Sequence, residues 1–170
     1  MSAEEWRLPK LIEADPEAAG LLEQLASRSG PLWKEGRLQI PSVVPDDELK
    51  STLCLASRTG FLLRGLEAAE RRLAEEQRGR ALLGTSSRDA GVRISRLLVV
   101  TNDGAERFYR NVEALLKRHE PRVYAIRVEM DEHEMGELLF GADRVARLVM
   151  VDHKNAVAEV LLAIARQWRG

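Results

Sequence analysis

The fold is decided by residues 97–128, which read LLVVTNDGAERFYRNVEALLKRHEPRVYAIRV. The stretch contains an apolar run at 97–100, a polar turn at 101–104, a helical repeat of apolar side chains and a second apolar run at 123–128. Apolar runs without alternation are typical of strands that are buried on both faces. A strand, a helix and a second strand in this order predict two parallel strands joined by a packed helix.

The same alternation continues towards the C-terminus. Asp131 and Glu134 have the spacing of a capping box, which predicts a short helix that ends at Gly141. Residues 145–151 then predict another buried strand, and apolar side chains at helical spacing predict a last helix over residues 157–168. We therefore expect helices on both faces of a mostly parallel sheet.

Towards the N-terminus the pattern adds two more helices. The acidic residues 46–48 are suited to a helix start, and Gly60 ends that helix. Residues 61–63 form a short apolar run, and a helix with outward arginines follows Gly65. Residues 84–91 are rich in Ser, Thr and Gly and predict a loop.

Residues 1–45 read as an N-terminal helical and extended appendage to a domain formed by residues 46–170. Asp15 is a suitable cap and Pro16 a suitable first residue for a helix from residue 14 to about residue 29. Prolines and glycines then interrupt the chain, with a short strand expected at residues 37–40. No role for this appendage follows from its sequence.

Composition bounds the class of protein. The chain has 170 residues, of which 45% are hydrophobic and 31% charged, so one domain with a substantial core is expected. No apolar run approaches the roughly 20 residues that cross a bilayer, and the N-terminus lacks a signal-peptide core. A single cysteine, Cys54, excludes an internal disulfide and a cysteine-based zinc site. These observations favour a cytoplasmic protein that does not interact with membranes.

The net charge of −1 conceals an uneven distribution along the chain. Residues 58–96 carry nine arginines against five acidic side chains, whereas the segments before and after them are net negative. Such a segment is either a solvated helix face or a surface that attracts phosphates.

The residue types used in catalysis and metal binding occur without a recognisable site. Residues 131–134 are acidic or histidine but point in different directions from a helix start, so they do not converge on one ion. His119 fits the last turn of a helix, where its positive charge would complement the helix dipole. The chain has neither GxGxxG nor GxxxxGK[ST]. We predict no catalytic residue, metal or cofactor, although a nucleotide at the loops 101–104 and 152–155 stays an alternative.

Two stretches suggest a family. Residues 55–69 read LASRTGFLLRGLEAA and residues 138–146 read LLFGADRVA, and the apolar runs described above lie between them. In this order they resemble the superfamily of large-subunit ribosomal proteins seven-Ae and thirty-e and their small bacterial relatives, over about residues 51–165. The resemblance implies a three-layer α/β/α sandwich with a mixed sheet of about four strands, here with an N-terminal helical extension. It also implies binding of structured RNA, kink-turn RNA included.

The resemblance also indicates where RNA would bind. In that family a glycine, an Asn-Glu pair and a basic residue lie at the start of the helix after the first strand. Gly65 and Arg71 match the glycine and the basic residue, whereas Glu67 and Ala68 replace the Asn-Glu pair. Arg144 matches a basic position in the loop before the last strand. The expected RNA-binding residues are therefore Arg64, Gly65, Glu67, Arg71, Arg72 and Arg144.

Three functions are compatible with these features. The first is a non-catalytic domain that binds structured RNA, with Arg71 and Arg144 on one surface. The second is a protein-interaction module on the same scaffold that has lost RNA binding, which the replacement residues Glu67 and Ala68 and the pI near 6.3 favour. The third is a Rossmann-like nucleotide-binding protein.

Overall fold

The computed structural model describes residues 6–82 and 92–169, and the loop predicted over residues 84–91 lies outside them. The described residues form a short 3-10 helix at Pro16–Ala18, seven α-helices and six strands. The helices are α1 (Lys10–Glu13), α2 (Leu21–Ser27), α3 (Asp47–Arg58), α4 (Leu66–Leu82), α5 (Glu106–His119), α6 (Glu132–Phe140) and α7 (Lys154–Arg169). The strands are β1 (Ser29–Gly30), β2 (Ile40–Val43), β3 (Leu62–Arg64), β4 (Arg96–Val100), β5 (Val123–Val128) and β6 (Leu148–Val151).

The six strands form one mixed sheet in the order β1-β2-β5-β4-β6-β3. Parallel pairing joins β2 to β5 and β4 to β5, whereas β1–β2, β4–β6 and β3–β6 are antiparallel. The expectation of a mostly parallel sheet was therefore wrong, because the last strand runs against its neighbours. The sheet also has six strands where about four were expected, and the two additional strands come from residues before 45.

Helices cover both faces of the sheet, so the predicted three-layer α/β/α sandwich is confirmed. Leu97 and Val99 of β4 join the core cluster that includes α3, α6 and α7. Leu98 and Val100 join the opposite cluster, which includes α4 and α5. Successive strand residues point to opposite faces, so an apolar residue at every position of β4 is what two buried faces require.

The predicted helix caps are present. Asp46 accepts a hydrogen bond from the backbone N–H of Leu49 at 2.8 Å and begins α3. Asp131 and Glu134 form the expected capping box of α6. The side-chain oxygens of Asp46, Asp131 and Glu134 accept hydrogen bonds from backbone N–H groups that have no partner inside the helix. Both helices therefore begin where the sequence indicates.

The N-terminal residues differ from expectation in detail. The single helix expected from residue 14 to about residue 29 is divided, because Gly20 has a left-handed φ of 75° between the 3-10 helix and α2. The expected strand at 37–40 is displaced to Ile40–Val43, where Ser42 and Val43 pair with β5.

Residues 6–45 pack on the same core as the rest of the chain. Leu21 and Leu25 of α2 are fully buried in the cluster that contains α7. On the surface, the Arg166 guanidinium of α7 lies 2.9 Å from a Glu17 oxygen and 3.0 Å from a Glu48 oxygen. The hydrogen bond from Arg166 also holds the pKa of Glu17 below its usual value. Through Arg166, α7 connects the N-terminal segment to α3.

Candidate functional site

Four of the expected site residues line one cleft of about 520 Å³ at the start of α4, here called the α4 cleft. They are Arg64, Gly65, Glu67 and Arg71. The remaining walls come from distant parts of the chain, namely Leu66, Ala68, Phe108, Glu132, Val145, Ala146, Arg147 and Leu148. Residues about 80 positions apart in the sequence therefore face each other across the cleft.

Gly65 joins the two sides of the α4 cleft. Its φ of 96° lies in the left-handed region, which glycine adopts without strain. In that conformation its backbone N–H donates to the Leu148 carbonyl oxygen at 2.9 Å, and its own carbonyl accepts from Ala69 at 3.2 Å. A Cβ at this position would meet nothing within 4 Å, so backbone conformation rather than space favours glycine. The start of α4 is thereby fixed against the start of β6.

A second glycine positions the opposite wall. Gly136 of α6 is buried against the loop formed by residues 141–147, and a Cβ there would lie 2.5 Å from the Val145 Cα and closer still to the Arg144 carbonyl. The Ala146 N–H donates to the Glu132 carbonyl at 3.0 Å and ties the same loop to the start of α6. Direct backbone contact between helix and loop therefore sets the position of the wall.

The two basic residues of this loop lie in different places. Arg144 is exposed beside the α4 cleft, and its neighbour Val145 lines the wall. Arg147 lines the cleft itself, with its Nε 2.9 Å from a Glu132 oxygen. The cleft thus receives its basic side chain from Arg147, three residues beyond the position that the resemblance indicates.

Arg72 is not part of the α4 cleft. It forms an ion pair with Asp152, whose second oxygen lies 3.0 Å from the Nε of Arg96. Glu76 continues the network, with one oxygen 3.1 Å from Arg96 and the other 2.7 Å from Arg122. Five side chains of alternating charge therefore connect α4 to the strands, and Arg72 belongs to this ion-pair network.

Glu76 is the central carboxylate of the network. Its side chain is 18% exposed, and burial by itself would raise its pKa. The hydrogen bond from Arg122 and the charges of Arg96 and Arg122 outweigh burial and hold the pKa of Glu76 below its usual value of 4.5. Glu76 is therefore ionised in the folded protein at neutral pH.

The charge inside the α4 cleft is mixed. Three guanidinium groups, from Arg64, Arg71 and Arg147, are accompanied by the carboxylates of Glu67 and Glu132. Phe108 adds a half-buried aromatic wall. Such a cleft offers cations for phosphates, an aromatic ring for stacking, and carboxylates that accept hydrogen bonds.

Among the lining residues that the sequence analysis does not predict, three have charged or aromatic side chains. Phe108 has the helical spacing of a core residue, and Glu132 reads as charge at a helix start, so neither pattern indicates a ligand. Arg147 is the residue of the three that the sequence could have indicated, because it is a second basic residue just before an apolar strand.

The turn at residues 101–104 uses its polar groups internally. The Gly104 N–H donates to the Tyr109 hydroxyl at 3.0 Å, and that hydroxyl donates to the Thr101 carbonyl at 2.7 Å. Asp103 accepts from the backbone N–H of Glu132 at 3.1 Å. Burial raises the pKa of Tyr109, so its hydroxyl keeps its proton. The N–H of Gly104 and the carboxylate of Asp103 are thus bound within the protein and are not directed at a ligand.

The remaining chemically interesting residues have local roles. Cys54 is half-buried, with its Sγ 3.4 Å from the Leu138 carbonyl. Burial, with Arg118 and Arg122 nearby, lowers the pKa of His119. A protonated His119 that complements the helix dipole is therefore opposed by its surroundings.

Within residues 6–82 and 92–169, no three His, Cys, Asp or Glu side chains are placed to share a metal ion. In the same residues no helix combines the length and apolar character of a membrane span.

Comparison with known proteins gives limited information. No protein-family model matches this sequence, and no curated protein is similar to it. Solved structures with a similar chain course include a protein with unknown function from Bacillus halodurans C, at 15% identity and a TM-score of 0.45. That alignment covers 70% of this chain and 98% of the other.

Proposed function

We propose that this protein is a non-catalytic RNA-binding domain that holds a structured RNA across the α4 cleft. The observation that carries the proposal is the convergence of Arg64, Gly65 and Arg71 with Arg147 from the other end of the sequence. Arginine guanidinium groups bind phosphates with two parallel hydrogen bonds and stack on bases. Three of them around one cleft suit the closely spaced phosphates of a folded RNA.

The topology supports the same proposal. Strands β3, β6, β4 and β5 form a mixed set of four neighbours, with β3 and β6 antiparallel and β4 and β5 parallel. The mixed strand directions agree with the mixed sheet that the resemblance to the ribosomal protein superfamily implies, although the sheet has six strands where about four are implied. A Rossmann-like nucleotide-binding protein would instead have parallel strands at this position.

The form of RNA is suggested by the shortage of aromatic residues. Aromatic side chains make up 5% of the chain, and Phe108 is the aromatic residue among those that line the cleft. Proteins that bind single strands stack successive bases on several aromatic rings. A folded RNA whose shape brings phosphates together, with one base against Phe108, fits this composition better.

A protein-interaction module is the second candidate, and the acidic residues of the cleft favour it. Glu67 and Glu132 line the same walls as the arginines, and Glu67 replaces an asparagine that the resemblance would place beside RNA. Mixed charges of this kind complement a protein surface with both signs. A protein partner that remains bound after nuclease treatment, and that is lost when Arg71 and Arg147 are replaced, would favour this candidate over RNA.

The test is binding of a kink-turn RNA and of an uninterrupted duplex of equal length at two salt concentrations. We expect tighter binding of the kink-turn RNA, and at least a tenfold loss in the double variant Arg71→Ala, Arg147→Ala. Loss of two phosphate contacts should also reduce the slope of log affinity against log salt by about 2. The pair Arg71→Ala, Arg144→Ala shows whether the exposed Arg144 contributes.

Arg78→Ala is the matched control, because Arg78 is exposed on the same helix two turns further from the cleft. It should change affinity by no more than about twofold. Absence of binding to either RNA at low salt would contradict the proposal, and so would an equal loss in the Arg78 control.

A further inference from the structure

The end of α4 lies at a second cleft, of about 330 Å³, here called the α5 cleft. The last turns of α4 and α5 and the turn that leads into β5 form its walls. The charged and polar residues that line it are Gln77, Arg80, Arg118, His119, Glu120 and Arg122. We propose that the α5 cleft is a binding site for a phosphoryl group, such as that of inorganic phosphate, pyrophosphate or a nucleotide.

The charge of the α5 cleft is the first argument. Its walls carry the guanidinium groups of Arg80, Arg118 and Arg122 against a single carboxylate, that of Glu120. In the part of the chain that the structure describes, neither Arg80 nor Arg118 has a carboxylate within ion-pair distance. The cleft therefore has an excess of positive charge, which an anion would balance.

Glu76 offsets only part of this excess. Its charge also acts on Arg80 and His119, and one of its oxygens accepts from Arg122 at 2.7 Å while the other lies 3.1 Å from Arg96. One negative charge is thus shared between two guanidinium groups, and Arg122 keeps donors for a second acceptor.

The mutual effect of the basic groups is the second argument. Burial lowers the pKa of Arg80, and the neighbouring charge of Arg122 lowers it further. Burial likewise lowers the pKa of His119, with Arg118 and Arg122 acting in the same direction. Glu76 acts in the opposite direction on both groups, so a bound anion would relieve the part of the repulsion that Glu76 leaves.

The helix dipoles explain some of these residues but not all of them. Arg80 lies in the last turn of α4, and Arg118 in the last turn of α5, where basic side chains stabilise the helix C-terminus. Arg122 belongs to neither helix and approaches the same space from the turn before β5. Convergence from three segments is the arrangement that a phosphoryl group, with several acceptor oxygens, can use.

The site is separate from the α4 cleft. The α5 cleft lies where β4 and β5 begin, because Arg96 pairs with Val123, whereas the α4 cleft lies where β4 ends beside Leu148. The 17 residues of α4 connect the two clefts and span about 25 Å. The proposal therefore stands independently of RNA binding at the α4 cleft.

The test is a calorimetric titration of the full chain with pyrophosphate, in phosphate-free buffer at low salt, which measures the binding affinity. We expect saturable binding, weakened at least tenfold by Arg80→Gln and by Arg118→Gln separately. Arg78→Gln is the matched control, since Arg78 is exposed two residues before Arg80 on a different side of α4. It should leave the affinity within about twofold of the unmodified protein.

A second measurement follows the His119 imidazole by NMR in the same titration. A phosphoryl group in the cleft should raise the pKa of His119, and Arg118→Gln should reduce that rise. Parallel titrations with inorganic phosphate and adenosine monophosphate distinguish the sources. If adenosine monophosphate binds more strongly than inorganic phosphate, part of the site contacts the nucleoside. If the two bind equally, the site contacts the phosphoryl group alone.

Three results would overturn the proposal. They are no saturable binding of pyrophosphate at millimolar concentration, an Arg78→Gln loss as large as that of Arg80→Gln, or an unchanged His119 signal on saturation. In each of these cases Arg80 and Arg118 act as helix-terminal charges alone, and Arg122 acts only as a partner of Glu76.

Discussion

Arg71 and Arg72 are neighbours in the sequence, but they lie in two different regions of the molecule. Arg71 lines the α4 cleft, whereas Arg72 pairs with Asp152 in the ion-pair network. One step along a helix rotates the side chain by about 100°, so adjacent residues face different surroundings. A run of arginines therefore divides into groups that are open to a ligand and groups that hold the helix to the sheet.

The two regions also differ in what fixes them. The α4 cleft is shaped by backbone contacts at two glycines, and its three arginines are exposed. The ion-pair network is fixed by side chains, and those of Arg96, Glu76 and Arg122 are 17%, 18% and 16% exposed. Substitutions should accordingly affect the two regions through different mechanisms.

The largest effect is expected from Gly136→Ala, which disturbs the cleft wall. The added Cβ would overlap the backbone of the loop at Arg144 and Val145, which has no side-chain freedom with which to move aside. We expect a loss of about 3 kcal/mol in the free energy of unfolding, at the upper end of the cost of overpacking. Urea denaturation measures the loss.

Gly79→Ala is the control for that substitution. Gly79 lies inside α4, and a Cβ there would meet nothing within 4 Å. Alanine is favoured over glycine in a helix, so this variant should gain about 0.5–1 kcal/mol. Equal stability of the two variants would show that the loop does not contact α6 as described.

The next effect is expected from Glu76→Gln, which opens the ion-pair network. The change leaves Arg96 and Arg122 without their shared carboxylate, and we expect a loss of about 1–3 kcal/mol at pH 7, since the network is partly hydrated. Glu75→Gln, on the exposed neighbour, should cost no more than about 0.5 kcal/mol. Chemical denaturation of both variants checks the difference, and equal losses would contradict it.

The same substitution has a defined pH dependence. The pKa of Glu76 is lower in the folded than in the unfolded chain, so its contribution is complete above about pH 4.5 and is lost as the pH falls through the folded value. The difference in stability between the unmodified protein and Glu76→Gln should therefore shrink in acid. A difference that grows below pH 4.5 would show that the carboxylate is not stabilised by its arginines.

The smallest effect is expected at His119, beside the network. Its pKa is lowered in the folded chain, so the unfolded chain takes up a proton first as the pH falls through 6.5. Folding stability should then decrease with falling pH in this range, and His119→Gln should make the slope shallower. Thermal melts at intervals between pH 7.5 and 5.5 measure this, and an unchanged slope would contradict it.

Much of the fold can be predicted from local signals. Continuous apolar runs identify β4 and β5, and the Asp131 cap identifies the start of α6, because these signals depend on residues that are near in sequence. The direction of β6 cannot be read in this way, since an apolar run looks the same in parallel and antiparallel pairing. Strand β2 is obscured by Pro41, which is tolerated where the strand's partner does not need its N–H.

The candidate site can be predicted in part. Gly65 and Arg71 are indicated by the motif, because the motif records a backbone turn and the helix face that follows it. The separation of Arg71 from Arg72 depends on the position of Asp152, which is 80 residues away. Arg147 lines the cleft and Arg144 does not, because of the way in which residues 141–147 cross Gly136. That contact joins separate segments, so no local sequence pattern predicts it.

The pairing of β2 with β5 has a consequence for the behaviour of shortened chains. The outermost strands of the sheet are very short, with two residues in β1 and three in β3, so little unpaired backbone is offered to other molecules. A chain that began at Asp46 would lose the pairing of Ser42 and Val43 with β5 and would uncover the backbone of β5 at Arg127 and Val128. Such a chain should self-associate more readily by strand addition at this edge than the full chain does, which size-exclusion chromatography measures.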